Sequence, residues 1–204
     1  MTTCIDCQGF GLKFDPILDG SVECPCVPDT ERAPWMQTAS GQQFYPLEPV
    51  LETITIEDIA HALSNICRFG GHTRWHYSVA QHSYLVSHVC DPQDALWGLL
   101  HDASEAYIGD VIQPLKSSPA WRDYAEVEHR LQSAICRKFG LPPIMPDSVK
   151  RADLIVLATE KRDVMEKAPA DWGTLPEPMP EWIGRMWPDW VRETFLSRFK
   201  ELTK

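Results

Sequence analysis

The sequence predicts an all-α bundle preceded by a small cysteine-rich appendage. Three observations carry this. From about residue 54 onward the apolar residues recur at helical spacing and no convincing alternating strand appears. Helix start signals precede the periodic runs. Residues 1 to about 34 differ: they hold four of the seven cysteines, four of the 17 prolines and glycines at positions 9, 11 and 20, without helical periodicity. A chain of 204 residues then divides into a segment 1–34 and one domain over 35–204.

The helices follow in order. Thr55 before Ile56, Glu57 and Asp58 is an N-cap with acids in the first turn, and Ile59, Leu63 and Ile66 share one face. A second stripe, Val79, Val86 and Val89, falls over residues 78–89. Asp91-Pro92-Gln93-Asp94 supplies an N-cap, a proline at the first helical position and an acid at the third, opening a helix that carries Ala95, Leu99 and Ala106. Ser118-Pro119 repeats that start, and the helix is expected to run to Phe139, where Gly140 closes it. Asp147 can cap a helix from Ser148 to about Met165. Residues 169–188, with five prolines and three tryptophans, predict an irregular loop. Pro188-Asp189 then opens a last amphipathic helix with Val191, Phe195, Phe199 and Leu202 inside.

Composition narrows the function. Hydrophobic residues make up 44% of the chain, which excludes wholesale disorder. Lys and Arg number 19 against 29 Asp and Glu, a net charge of -10 that disfavours sequence-independent binding to nucleic-acid polymers. A small anion remains an admissible substrate where a metal or local positive charge offsets that balance. No apolar run approaches the ~20 residues that span a bilayer, and the N-terminus MTTCIDCQGF does not resemble a signal peptide. The expected compartment is the cytoplasm, where cysteines are thiols or metal ligands rather than disulfides.

Polar residues interrupt three of the apolar stripes. His82 lies in the stripe over 78–89, Asp102 (next to His101) in that over 94–107, and Asp153 and Glu160 in that over 149–164. A lone histidine on an apolar face is ordinarily a satisfied core residue. An unpaired buried carboxylate costs several kcal/mol, so the acids demand partners. A divalent cation would neutralise the two aspartates and take the imidazole nitrogens; spacing alone leaves this and a buried ion-pair network both open.

The series His82, then His101-Asp102, then Asp153 resembles the H…HD…D signature of the HD-domain metal-dependent phosphohydrolases. The stretches CRFGGHTRWHYSVAQHSYLVS (67–87), LLHDASEAYIGDVIQPLK (99–116) and KRADLIVLATEKRD (150–163) are similar to the branch found in bacteria, phages and prophages. That branch includes 5′-deoxynucleotidases and phage deoxynucleoside triphosphohydrolases. The resemblance covers about residues 36–204. It implies an HD-domain helical bundle, and it implies roles position by position. His82, His101, Asp102 and Asp153 match the ligands of one catalytic divalent metal (Co, Mn, Zn or Mg). Glu105 matches the acid that positions or deprotonates the attacking water, and Asp110 an acid near the sugar. Arg68 matches an arginine that holds the substrate phosphate. Phe69 occupies a position where some deoxynucleotidases carry a tryptophan, and His72 is a further candidate phosphate contact.

The chemistry of these residue types agrees with such roles. Glu105 follows His101 by four residues and Asp102 by three, which on a helix places all three on one surface. An arginine supplies a bidentate clamp that a lysine cannot reproduce. Lys116, Lys150, Lys161 and Arg162 read as ordinary solvated charges, the alternative being a contribution to the positive charge of the site. His61, His88 and His129 read as surface or packing residues, and no second metal set is evident. Cys67, Cys90 and Cys136 read as small core residues.

In the N-terminal segment, Cys4, Cys7, Cys24 and Cys26 form C-x2-C…C-x-C. Four thiolates suit a structural zinc, although the second pair departs from the usual spacing and unligated or redox-active thiols stay open. The expected function is a metal-dependent phosphohydrolase that releases phosphate from deoxynucleoside monophosphates. The alternatives are a triphosphohydrolase of deoxynucleoside triphosphates (dATP-type) and a non-catalytic nucleotide sensor. The expected partner is a small-molecule deoxynucleotide, with no membrane and no nucleic-acid polymer; a homodimer or higher oligomer is compatible with the acidic, helix-rich surface.

Overall fold

The computed structural model describes residues 34–204 (Ala120 by its backbone) and, before them, the backbone of two short strands. The chain divides into two compact units, Met1–Pro34 and Trp35–Lys204. In the first, β1 (Leu12–Asp15) pairs antiparallel with β2 (Gly20–Glu23), in the register Leu12 to Glu23 and Asp15 to Gly20. The four cysteines expected to hold zinc, Cys4, Cys7, Cys24 and Cys26, lie outside the described residues.

The second unit is mostly helical. A two-residue hairpin, β3 (Met36–Gln37) and β4 (Gln43–Phe44), opens it; periodicity could not reveal strands this short. The helices α1 (Ile56–Asn65), α2 (Val79–Val89), α3 (Ala95–Leu100), α4 (Glu105–Ile108), α5 (Gln113–Lys116), α6 (Arg122–Phe139), α7 (Asp147–Asp163) and α8 (Pro188–Leu202) follow. Residues 165–187 carry no helix or strand. No helix of the described residues is long and apolar enough to cross a membrane.

Caps explain most of the boundaries. The Thr55 and Ser78 side chains accept from the Asp58 and Gln81 amides and start α1 and α2. Gly140 takes a left-handed φ of 69° and ends α6. Three expectations are corrected. Asp147 does not cap α7: Pro146 is its N-cap and Asp147 lies in the first turn, bonded to Lys150. The proline starts at 92 and 119 each make a single 3₁₀ turn, and the α-helices begin only at Ala95 and Arg122. The expected helix through 94–107 is also interrupted, because its amides at 103, 105, 106 and 107 bond three residues back rather than four.

The main core joins α1, α2, α3, α6 and α8 through fully buried side chains that include Ile59, Leu63, Val79, Leu99, Leu131, Ile135 and Phe195. Burying each of the larger ones contributes roughly 1.5–3 kcal/mol. A second cluster, with Val86, Trp97, Cys136, Val149 and Val156, fastens α7 against α2 and α3. Cys90 and Cys136 are buried free thiols and Cys67 is half-buried. Gly98 sets the spacing between α2 and α3: a Cβ there would lie 2.8 Å from Cys90 Sγ and 3.1 Å from Ser87 Cα. α2, α7 and the turn that follows α3 carry the polar residues that the apolar stripes could not explain.

Candidate metal centre

His82 projects from the first turn of α2 and is fully buried. His101 caps the C-terminus of α3, and Asp102 follows in the tight turn. One ligand atom each from His82, His101 and Asp102 lies within 4.8 Å of the others. The two Nε2 atoms are 3.2 Å apart, and Asp102 Oδ2 lies 3.2 Å from that of His101 and 3.7 Å from that of His82. Asp153, on α7, stands outside this tightest group but reaches His82 Nε2 at 3.1 Å through Oδ1.

Both imidazoles are oriented from behind. His101 Nδ1 donates to the Gly98 carbonyl at 2.8 Å, and His82 Nδ1 donates to Glu160 Oε1 at 2.7 Å. Each ring therefore turns Nε2 toward the carboxylates. Two nitrogens that share one metal at ~2.0–2.1 Å lie roughly 3.0–3.4 Å apart, so the donor set fits a single cation. Without one, burial and the Arg68 charge push the His82 imidazole down, but Glu160 and Asp153 outweigh them and lift it to about 9. Despite its burial, Asp102 is held well below the usual carboxylate range by the charges of His101, His82 and Arg68.

Glu105 begins α4 and is almost wholly buried. Because the 101–104 turn is wound three residues per turn, Asp102 and Glu105 stack on the same side. Lys116 Nζ donates to Glu105 Oε1 and to Glu128 Oε1, both at 2.9 Å, while Glu105 Oε2 is buried without a partner among the described residues. Burial, with Asp102 and Asp110 nearby, raises the Glu105 carboxyl to about 9 against the pull of Lys116. Asp110 is half-buried, and its carboxyl is raised by burial and by Asp102 although Arg68 and Lys116 oppose this.

Arg68 sits in the turn Arg68–Gly71, pinned by its amide to the Tyr77 carbonyl. Its Nε and Nη2 face Glu160 Oε1 and Oε2 at 3.1 and 3.2 Å, and Nη1 lies 3.6 Å from Asp102 Oδ2. Phe69 holds a φ of 56°, uncommon for a residue with a side chain. Its ring is tilted against Trp172 at 5.9 Å. His72 is exposed, and no contact joins its ring to the cluster among the described residues.

Two residues with weight in this site had no such role in the sequence. Glu160 stood out only as an acid in an apolar stripe; it is fully buried and bonds both His82 and Arg68. Lys116 read as a solvated charge and instead is partly buried between two glutamates. Lys150, Lys161 and Arg162 do point elsewhere, toward Asp147, Asp171 and Asp163. His61, His88 and His129 are exposed.

No family model matches the chain. Over 130 residues, 64% of this chain and 72% of the relative, it is 47% identical to the uncharacterized protein YfdR of Escherichia coli K12. Over 127 residues it is 39% identical to an uncharacterized protein of Rhodobacter capsulatus, covering 58% of this chain and 64% of that relative. At that identity and coverage, the chain belongs to the same family as Escherichia coli YfdR.

Proposed function

We propose that this protein is an HD-type, metal-dependent phosphohydrolase that cleaves the 5′-phosphoester of 2′-deoxynucleoside monophosphates to deoxynucleoside and phosphate. The observation that supports it is the meeting of His82, His101 and Asp102 within 4.8 Å, with Asp153 against His82 and Glu105 beside Asp102. These five residues come from α2, the turn after α3, α4 and α7, far apart in the chain. Asp102 and Asp153 are the accessible members, at 23% and 42% side-chain exposure. Substrate would enter on their side.

His82, His101, Asp102 and Asp153 would hold a divalent cation. When bound, it lowers the pKa of a coordinated water and polarises a phosphoryl oxygen. Glu105 Oε2, buried and without a partner among the described residues, would take the proton of the attacking water. Lys116 holds Oε1 and opposes the burial and the Asp102 charge that keep Glu105 protonated; the charge of a bound cation would add to that pull toward the ionised form a base requires. Arg68 Nη1 is the guanidinium nitrogen not committed to Glu160, and it is the one that would meet the phosphate. Phe69 and Trp172 offer an aromatic wall beside it for sugar or base.

The test is hydrolysis of a panel of deoxynucleoside mono- and triphosphates and ribonucleotides with Co²⁺, Mn²⁺, Mg²⁺ or Zn²⁺. The expected result is orthophosphate from deoxynucleoside monophosphates, abolished by chelation. Triphosphate release would move the reading to the triphosphohydrolase. Metal and nucleotide binding without turnover would make the protein a sensor.

A further inference from the structure

We propose that Arg68 and Glu160 form a positioning relay behind His82, so that Arg68 helps to prepare the cation site. This rests on the reading that His82, His101, Asp102 and Asp153 take a divalent cation. The geometry begins on α7. Asp153 and Glu160 are seven positions apart, two turns of helix, and therefore share a face. One imidazole lies between them: Asp153 Oδ1 is 3.1 Å from His82 Nε2 and Glu160 Oε1 is 2.7 Å from His82 Nδ1. A single helix thus presents one carboxylate to each nitrogen. The outer one fixes the ring plane and claims the Nδ1 proton, which leaves Nε2 for the cation.

Glu160 is fully buried, and a buried carboxylate is unfavourable unless its charge is paired. Arg68, 92 residues earlier, supplies the pairing through two nitrogens of its planar fork. Its third terminal position, Nη1, approaches the inner carboxylate of Asp102 at 3.6 Å. Arg68 consequently bridges an outer carboxylate and a cation ligand, and the three side chains form one connected unit, Arg68–Glu160–His82. An arginine serving only as a phosphate clamp would not spend two of its nitrogens on an acid that no substrate can reach.

Co²⁺ titration of the full-length protein, by calorimetry and by the cobalt absorption band, tests the relay without needing turnover. Glu160→Gln and Arg68→Lys are each expected to weaken Co²⁺ binding by roughly 10–100-fold and to shift the band. The double variant should be little worse than the weaker single one, because both act on the same ring. Asp163→Asn removes a different buried acid of α7, paired with Arg162 and bonded to the Ile183 amide. It is expected to lower the melting temperature and leave Co²⁺ affinity unchanged. Wild-type affinity in the folded Arg68→Lys variant, or fully additive losses, would overturn the relay. Failure of the wild-type protein to bind Co²⁺ would instead overturn the metal reading beneath it.

Discussion

The two flanks of the histidine pair are built on opposite principles. Behind His82 lies a charge-paired network, in which fully buried Glu160 accepts from His82 Nδ1 and Arg68 Nη2 and stands 3.1 Å from Arg68 Nε. Beside Asp102 lies an unsatisfied one. Glu105 Oε2 has no partner among the described residues, Asp110 is raised by burial and a neighbouring charge, and Lys116 is shared between two glutamates. The first arrangement holds geometry fixed. The second favours the protonated form of Glu105, because burial and the Asp102 charge oppose its ionisation. A cation at the cluster would be held by the first flank and would act on the second.

The largest expected effect breaks the centre itself. Asp102→Ala should abolish both metal retention and hydrolysis, read by elemental analysis after dialysis and by phosphate release. Retained turnover would remove the metal mechanism. Glu105→Ala tests the unsatisfied flank alone: metal content should persist while the rate falls roughly 10²–10⁴-fold, and loss of metal would show that Glu105 belongs to the holding side.

A pH series sharpens the contrast. His82 stands at about 9 without metal, so a cation must displace a proton there. Divalent affinity should fall about tenfold per pH unit below 9, with proton release measurable in weakly buffered solution. Glu105 adds a stability effect of definite sign. Its folded carboxyl is raised to about 9 from an ordinary 4.5, so the folded state binds the extra proton between those values. Its contribution to stability is full below about 4.5 and is lost as pH rises through about 9. Denaturant melts of the metal-free Glu105→Gln variant should therefore lose that part of the pH dependence.

The smallest effect concerns the scaffold. Gly98→Ala would force Cβ against Cys90 and the α2 backbone, costing roughly 1–3 kcal/mol by thermal melting. Because the Gly98 carbonyl also anchors His101, metal affinity should fall with it.

The legible and illegible parts of the site divide along the same line as its flanks. His82, Asp102, Asp153 and Glu160 each interrupt an apolar stripe, and helical periodicity alone exposes that conflict. Lys116 gave no such signal, since a lysine at the end of a short helix is normally solvated; only the packing of α5 near α6 brings it between Glu105 and Glu128. The three-residue winding at 101–104 was equally hidden, because HDAS has no breaker that favours it over an α-helix.

The sequence by itself determined a mostly helical domain after residue 34, the order of its helices and the side chains that must find polar partners inside it. Those follow from local periodicity and from the cost of burying charge. Which partners they find was decided only by the tertiary structure. Glu160 could have met any cation in the chain, and the choice of Arg68, 92 residues away, depends on how α2, α7 and the turn at 68–71 pack together. Pairing across such a distance leaves no trace in local spacing, because it is set by the relative placement of helices rather than by the pitch of any one of them.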